Sequence, residues 1–174
     1  MKDVRVRDAQ AGDRGAIEAV TLAAYQQYAA SMPALWDGYR QNIVSTLAAA
    51  RPDAQIVAEG DDRIVGAVLL HRAGTVIARP GGGSITLACP EVRLLAVAPP
   101  ARGQGVGGAL MQACIRRARH AGAAALTLHT TEIMEAAMRL YERIGFVRAP
   151  ELDFEPALSV IIKSYRLDLK DTGC

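Results

Sequence analysis

Between Glu91 and Ala113 the chain reads EVRLLAVAPPARGQGVGGALMQA, and no other stretch limits its folding so tightly. The apolar density from Glu91 to Val97 predicts a buried strand, and Pro99-Pro100 ends it because proline donates no ladder hydrogen bond. Four glycines follow within six positions: Gly103, Gly105, Gly107 and Gly108. A helix then starts near Val106, with Leu110, Met111, Cys114, Ile115 and Ala118 on one stripe and Gln112, Arg116 and Arg119 turned away from it. Bare backbone at a helix N-terminus lets an anion reach the peptide N–H groups, so this turn reads as a pyrophosphate seat. The plainer reading is a turn that only joins strand to helix.

The rest of the chain supplies elements for that unit to pack on. Val4 and Val6 alternate with Arg5 and Arg7, the period of a half-buried strand, and Asp13 offers an N-cap for a helix carrying Ile17, Val20 and Ala24. Ser31-Met32-Pro33 breaks the chain before a second helix from Gly38 to Ala50, which Pro52 stops. Strands at Gln55 to Glu59 and Arg63 to His71 are joined by Gly60-Asp61-Asp62, good chemistry for an antiparallel hairpin. The run from Ala78 to Ser84, ARPGGGS, reads as a flexible loop. Gly122 closes the helix begun at Val106. Leu126 to His129 is then a strand, and Ile133, Ala137, Leu140 and Ile144 mark the buried stripe of a fourth helix capped by Gly145. Phe146-Val147 opens another strand, and Val160 to Leu169 forms the last, after a loop containing Pro150 and Pro156. The order is βααβββαβαββ in one domain of 174 residues. The economical fold is α+β in three layers, a central mixed sheet with helices on both faces. The segment from Glu91 to His129 should form a right-handed parallel βαβ unit.

Composition removes several kinds of function. Twenty basic against 18 acidic residues leave a net charge of +2, too little for a nucleic-acid backbone or an anionic membrane. No long apolar run predicts a membrane span, and MKDVRVRDAQ at the start carries no export signal. Cys89, Cys114 and Cys174 are odd in number and scattered, which fits a reducing, cytoplasmic setting. His71, His120 and His129 lack partners at ligand spacing, so no metal site is expected and they read as surface or core-edge residues.

Gly103-x-Gly105-x-x-Gly108 matches the dinucleotide fingerprint letter for letter, but its context does not. Four residues, Pro99 to Arg102, separate the glycines from the strand. The next strand ends Leu128-His129-Thr130, where an acidic residue should hold the ribose. No second βαβ repeat follows, and no Gly-Lys-Ser/Thr makes a Walker loop.

The same stretch resembles the GCN5-related N-acetyltransferases. Arg102-Gly103-Gln104-Gly105-Val106-Gly107 matches their Q/R-x-x-G-x-G/A acetyl-CoA loop, after a strand ending Leu95-Ala96-Val97-x-Pro99. Their second block, A-x-x-L-Y-x-x-x-G-F, stands here as Ala137, Leu140, Tyr141, Gly145 and Phe146. The match runs from residue 91 to 149; outside it only the element order agrees. The resemblance implies acetyl-CoA as acetyl donor, with the backbone of Leu95, Ala96 and Val97 along the pantetheine arm. The backbone of Gln104 to Gly108 would hold the pyrophosphate, with Arg102 at its entrance, and the thioester would lie where the strands ending near Val97 and His129 separate. Tyr141 matches the family's general acid, which protonates the departing thiolate. Met134 stands where many members carry Asn, so a side-chain contact to the cofactor is not carried over.

Amine chemistry adds a requirement. An alkyl ammonium with a pKa near 10.4 is only about 0.04% neutral at pH 7, so a base or a water chain must deprotonate an amine acceptor. Glu91, at the start of the buried strand, is the first candidate and Glu59 the second; the plainer role for Glu91 is to pair with an arginine. Tyr141 is expected at the edge of its helix's buried stripe, where a phenol can reach a ligand. Tyr25, Tyr28, Trp36 and Tyr39 gather at the joint of the first two helices and could wall an acceptor pocket. Glu151, Asp153 and Glu155 in the loop from Arg148 to Pro156 could attract a cationic amine. The expected activity is acetyl transfer to a primary amine of a small molecule or peptide by direct attack in a ternary complex. The alternative is a catalytically weak CoA-binding sensor, and the final strand could serve a homodimer.

Overall fold

The computed structural model describes residues 4–51, 54–78, 83–155 and 161–169. Pro52, Pro80 to Gly82, Pro156, Val160 and Cys174 lie outside them. The chain divides into two compact units, Met1–Leu70 with Leu94–Ala113 and His71–Arg93 with Cys114–Cys174.

In the first unit, β1 (Arg5–Asp8) pairs antiparallel with β2 (Gln55–Gly60), which pairs antiparallel with β3 (Arg63–His71). The strand β6 (Glu91–Val97) follows β3 in the sheet order. Asp61 and Asp62 both have positive φ, 50° and 58°, as a two-residue type I′ turn between Gly60 and Arg63 requires. Ile56, Val57 and Ala58 are all buried, so β2 is covered on both faces. The helices of this unit are α1 (Arg14–Tyr25), α2 (Trp36–Ala49) and the first half of α3 (Val106–His120).

Asp13 does not cap α1 as expected. A 3-10 turn over Ala11–Asp13 precedes the helix, and the Asp13 carboxylate turns back to accept from the Gln10 N–H and the Arg7 guanidinium. The capping box therefore lies one turn earlier, with Gln10 as N-cap of the 3-10 turn. The second helix begins at Trp36, two residues before the expected Gly38.

The second unit carries β7 (Ala125–Thr130), α4 (Glu135–Ile144), β8 (Val147–Arg148) and β9 (Lys163–Asp168). The start of β6 pairs parallel with β7 (Glu91 opposite Thr127, Val92 opposite Leu128), and β9 lies antiparallel between β7 and β8. Among the described residues the main sheet is mixed and there are four α-helices. A hairpin that the sequence pattern conceals, β4 (Val76–Ala78) with β5 (Ser84–Thr86), brackets the glycine-rich loop. The strands hide because they are three residues long and almost wholly exposed, too short for a period to show.

The stripe of α3 is buried as its periodicity predicts. Gly122 and Gly145 adopt the positive φ of helix C-caps, 72° and 108°. The stripe of α4 is rotated from the expected one. Ile133 is 39% exposed and precedes the helix, while Tyr141, placed at the edge by the sequence, is only 6% exposed. Met134, the residue before the helix, is buried, and Tyr141 is the helix residue that meets Phe146 and Tyr165.

Candidate active site

The anion seat belongs to the first unit. After β6 the Ala98 N–H donates to Val65 O at 2.8 Å, and Pro99–Ala101 forms a 3-10 turn. Gly103 and Gly105 then take φ of 72° and 81°, a region that costs an L-residue about 1–2 kcal/mol. The first helical hydrogen bond of α3 runs from the Ala109 N–H to Gly105 O at 3.0 Å. Val106, Gly107 and Gly108 thus supply the unpaired donors of a helix N-terminus, at the positive end of its dipole. A Cβ built on Gly103, Gly105 or Gly108 meets nothing within 4 Å. Packing therefore does not demand these glycines, and the space beside the amides is open to a ligand. The residues present fit a diphosphate.

Two side chains hold this loop. Gln104 Nε2 donates to Pro100 O at 2.9 Å, closing the loop on itself. Arg102, expected at the diphosphate entrance, donates to Ala24 O at 2.9 Å and to Gln27 Oε1 at 3.1 Å, tying the loop to the carbonyl end of α1. Its charge lies near Tyr28, whose phenol burial pushes up while Arg102 pulls it down. Tyr25, Tyr28, Trp36 and Tyr39 do gather, with ring centroids 6.0–6.3 Å apart.

Leu94 is a feature that the sequence does not reveal. Its φ of 50° puts a leucine in left-handed conformation inside β6, immediately before Leu95, Ala96 and Val97. Such strain costs about 1–3 kcal/mol and is found most often at ligand sites. Leucine carries no sequence signal for it.

The acid–base groups belong to the second unit. Glu91 is 3% exposed, and its Oε2 lies 3.3 Å from His129 Nδ1 and its Oε1 3.7 Å from Arg93 Nε. His129, read from the sequence as a lone histidine, sits two residues beyond Thr127, the register partner of Glu91, and so shares its face. The Phe154 ring stands edge-on to the imidazole, 5.2 Å away between centroids. His71, at the end of β3, is held below its ordinary pKa by burial and then by the charge of Arg93, with Glu91 opposing. Tyr141 packs on Phe146 at 6.1 Å and Tyr165 at 6.2 Å.

Two expected carboxylates are already engaged. Glu59 accepts from Arg7 at 2.6 Å, which holds its carboxyl below the usual range and makes it a poor base. Asp153 accepts from both Arg148 nitrogens and from the Ser164 N–H, so it is not free to draw an amine. Glu151 and Glu155 stay exposed. Among the described residues no three His, Cys, Asp or Glu side chains form a metal-binding group, and no helix is long and apolar enough to cross a membrane.

N-alpha-acetyltransferase 30 of Schizosaccharomyces pombe is 33% identical over 105 residues, 58% of this chain and 62% of the relative. The matched stretch spans less than two thirds of the length of the curated relatives. In structure the chain is similar to the ribosomal-protein-S18-alanine N-acetyltransferase of Escherichia coli, with a TM-score of 0.68 and 16% identity over 98% of this chain and 97% of that one. It is also similar to a GNAT family acetyltransferase of Brucella melitensis in complex with acetyl-CoA, with a TM-score of 0.64 and 24% identity over 98% and 90%. The model of the acetyltransferase (GNAT) family matches residues 18–146, from α1 through the glycine loop and Glu91 to Tyr141 and Phe146, and the chain belongs to that family.

Proposed function

We propose that the protein is an acetyl-CoA-dependent N-acetyltransferase that acts on a primary amine of a small molecule or peptide by direct attack in a ternary complex. The observation that carries this reading is the open run of amides from Gln104 to Gly108 at the start of α3, in a chain of the acetyltransferase family. Bound acetyl-CoA supplies an acyl group already activated as a thioester. The amides of Gln104 to Gly108 hold its diphosphate, and the backbone of Leu95, Ala96 and Val97 lies along its pantetheine arm. Tyr141 donates its phenolic proton to the leaving sulfur from a setting of aromatic rings. The Glu91 cluster serves removal of the proton from the amine.

The acceptor we favour is a peptide α-amine. Its pKa of roughly 7.7–8.0 leaves about a tenth of it neutral at pH 7, against about 0.04% of a lysine amine. A relative with 33% identity is named as an N-alpha-acetyltransferase, which supports the same choice. A reducing, cytoplasmic setting goes with it, since Cys89 and Cys114 are both free thiols.

Calorimetric titration with acetyl-CoA and with NAD(P)H, followed by thiol release with peptides, amino acids and alkyl amines, tests this reading. Acetyl-CoA should bind and NAD(P)H should not, and a peptide bearing a free N-terminus should release thiol. Binding without turnover would favour a CoA sensor; no binding would end the proposal. Tyr141→Phe should lower kcat about 10²- to 10⁴-fold with acetyl-CoA affinity kept. Full activity in that variant would reduce Tyr141 to a packing residue.

A further inference from the structure

We infer that His129 Nε2 takes the proton from the acceptor amine and that Glu91 is the residue that positions it, an assignment resting on the acyl-transfer reading above. Glu91 is enclosed, at 3% exposure, while the His129 side chain keeps 26% of its surface open. An amine arriving from solvent meets the imidazole before the carboxylate. Nδ1 is the ring nitrogen in contact with Glu91 Oε2, 3.3 Å away, which leaves Nε2 to meet the amine. Among the described residues no protein hydrogen bond is made to Nε2. At 3.3 Å the pair is an ion-pair contact rather than a formed hydrogen bond, and catalytic hydrogen bonds often tighten only when substrate arrives.

The strand register brings in a second, independent feature. Ser164 of β9 stands directly opposite His129, so the two side chains leave the sheet on the same face, about 5 Å apart. Ser164 is 1% exposed, and its Oγ has no hydrogen-bond partner. His71 Nε2, electrostatically coupled to Glu91 and Arg93, is also buried without a partner. Buried polar atoms in native proteins are nearly always paired, so these two mark places for a water or for the polar atoms of an acceptor. The other charged groups of this region are accounted for. Arg93 faces Glu91, Arg148 and Asp153 hold each other and the Ser164 backbone, and Lys163 pairs with Glu132.

In the step this describes, the amine nitrogen bonds to the acyl carbon as the carbon–sulfur bond breaks and its electron pair leaves on sulfur. One ammonium proton passes to His129 Nε2 and on to solvent before attack; the sulfur takes its proton from Tyr141, and the second proton, which the nitrogen sheds as it becomes an amide, returns through solvent to the Tyr141 phenolate.

His129→Ala should lower kcat about 10²- to 10⁴-fold and leave acetyl-CoA affinity within about threefold. Tens of millimolar imidazole should restore part of that turnover. Glu91→Gln should lower kcat roughly 10- to 100-fold without rescue by imidazole, because the base is present but misaligned. A His129→Ala kcat within about threefold of the unsubstituted protein, or a loss that imidazole does not recover, overturns the assignment. If circular dichroism shows that the variants do not fold, carbethoxylation of the unsubstituted protein gives the same answer. Activity that falls in step with modification of His129, located by peptide mass, supports the role, and activity retained by a modified His129 refutes it. Failure of the unsubstituted protein to release thiol from any amine would instead remove the acyl-transfer reading, and this assignment with it.

Discussion

Gly105→Ala isolates what the anion loop needs from its backbone. Gly105 has φ of 81°, and a Cβ there meets no atom within 4 Å, so the whole effect of the added methyl is conformational. Holding an alanine at that angle costs about 1–2 kcal/mol. If the loop keeps its shape, the cost falls on stability, and at about 2–4 °C per kcal/mol for a chain of this size Tm drops by roughly 2–8 °C. If the loop relaxes instead, the peptide planes beside Gly105 turn and an amide leaves the diphosphate. A hydrogen bond to a charged group contributes roughly 1.5–3 kcal/mol, so acetyl-CoA affinity then falls about 10- to 150-fold. Gly108→Ala is the control. Gly108 lies inside α3, and its Cβ also meets nothing. Alanine there gains roughly 0.5–1 kcal/mol of helix preference, which should raise Tm by about 1–4 °C. Amide direction is kept, so Kd should stay within about threefold. Thermal melts and calorimetric titration with acetyl-CoA read both quantities. An unchanged Tm and Kd in Gly105→Ala would refute the argument. Equal harm from both substitutions would show that side-chain bulk, not amide direction, governs the loop.

Three further outcomes follow from the packing. A Cβ on Gly66 would lie 2.9 Å from Val106 Cγ1 and 3.0 Å from both Ala96 O and Leu110 Cδ1. Gly66→Ala should therefore cost about 1–3 kcal/mol by overpacking, and a melt matching the unsubstituted protein would contradict that close approach. Burial pushes the Cys114 thiol up to about 12, so Ellman's reagent should reach it only after denaturation while Cys89 reacts in the native protein; mass mapping of labelled peptides decides. His71 is held below its ordinary pKa, so below about pH 6.5 the unfolded chain binds a proton that the native state does not. Its contribution to stability is complete above that pH and is lost as pH falls toward the depressed value. His71→Gln should flatten the decline of Tm between about pH 7 and 5, and an unaltered slope would count against the burial of this imidazole.

Local chemistry carried much of the architecture. Pro99-Pro100 stops β6, the α3 stripe faces inward, Asp61-Asp62 makes the turn between β2 and β3, and Gly122 and Gly145 end their helices. Each rests on forces acting within a few residues, as does the glycine loop, and all of them are written in the sequence. The amine-side chemistry is different in kind. Glu91 and His129 are far apart along the chain, and only the parallel register of β6 with β7 sets them 3.3 Å apart, with Ser164 brought alongside by β9. A strand shifted by one residue would send each side chain to the other face, and no local pattern encodes that choice. The same non-locality took Asp153 into partnership with Arg148, Arg102 to the end of α1, and Tyr141 from the edge of its helix to the inside. The sequence by itself determined the strand, the turn and the helix that present bare amides to an anion. Tertiary structure decided which charged side chains are spent on one another and which remain to handle a proton, because pairing between distant strands, not local preference, sets those distances.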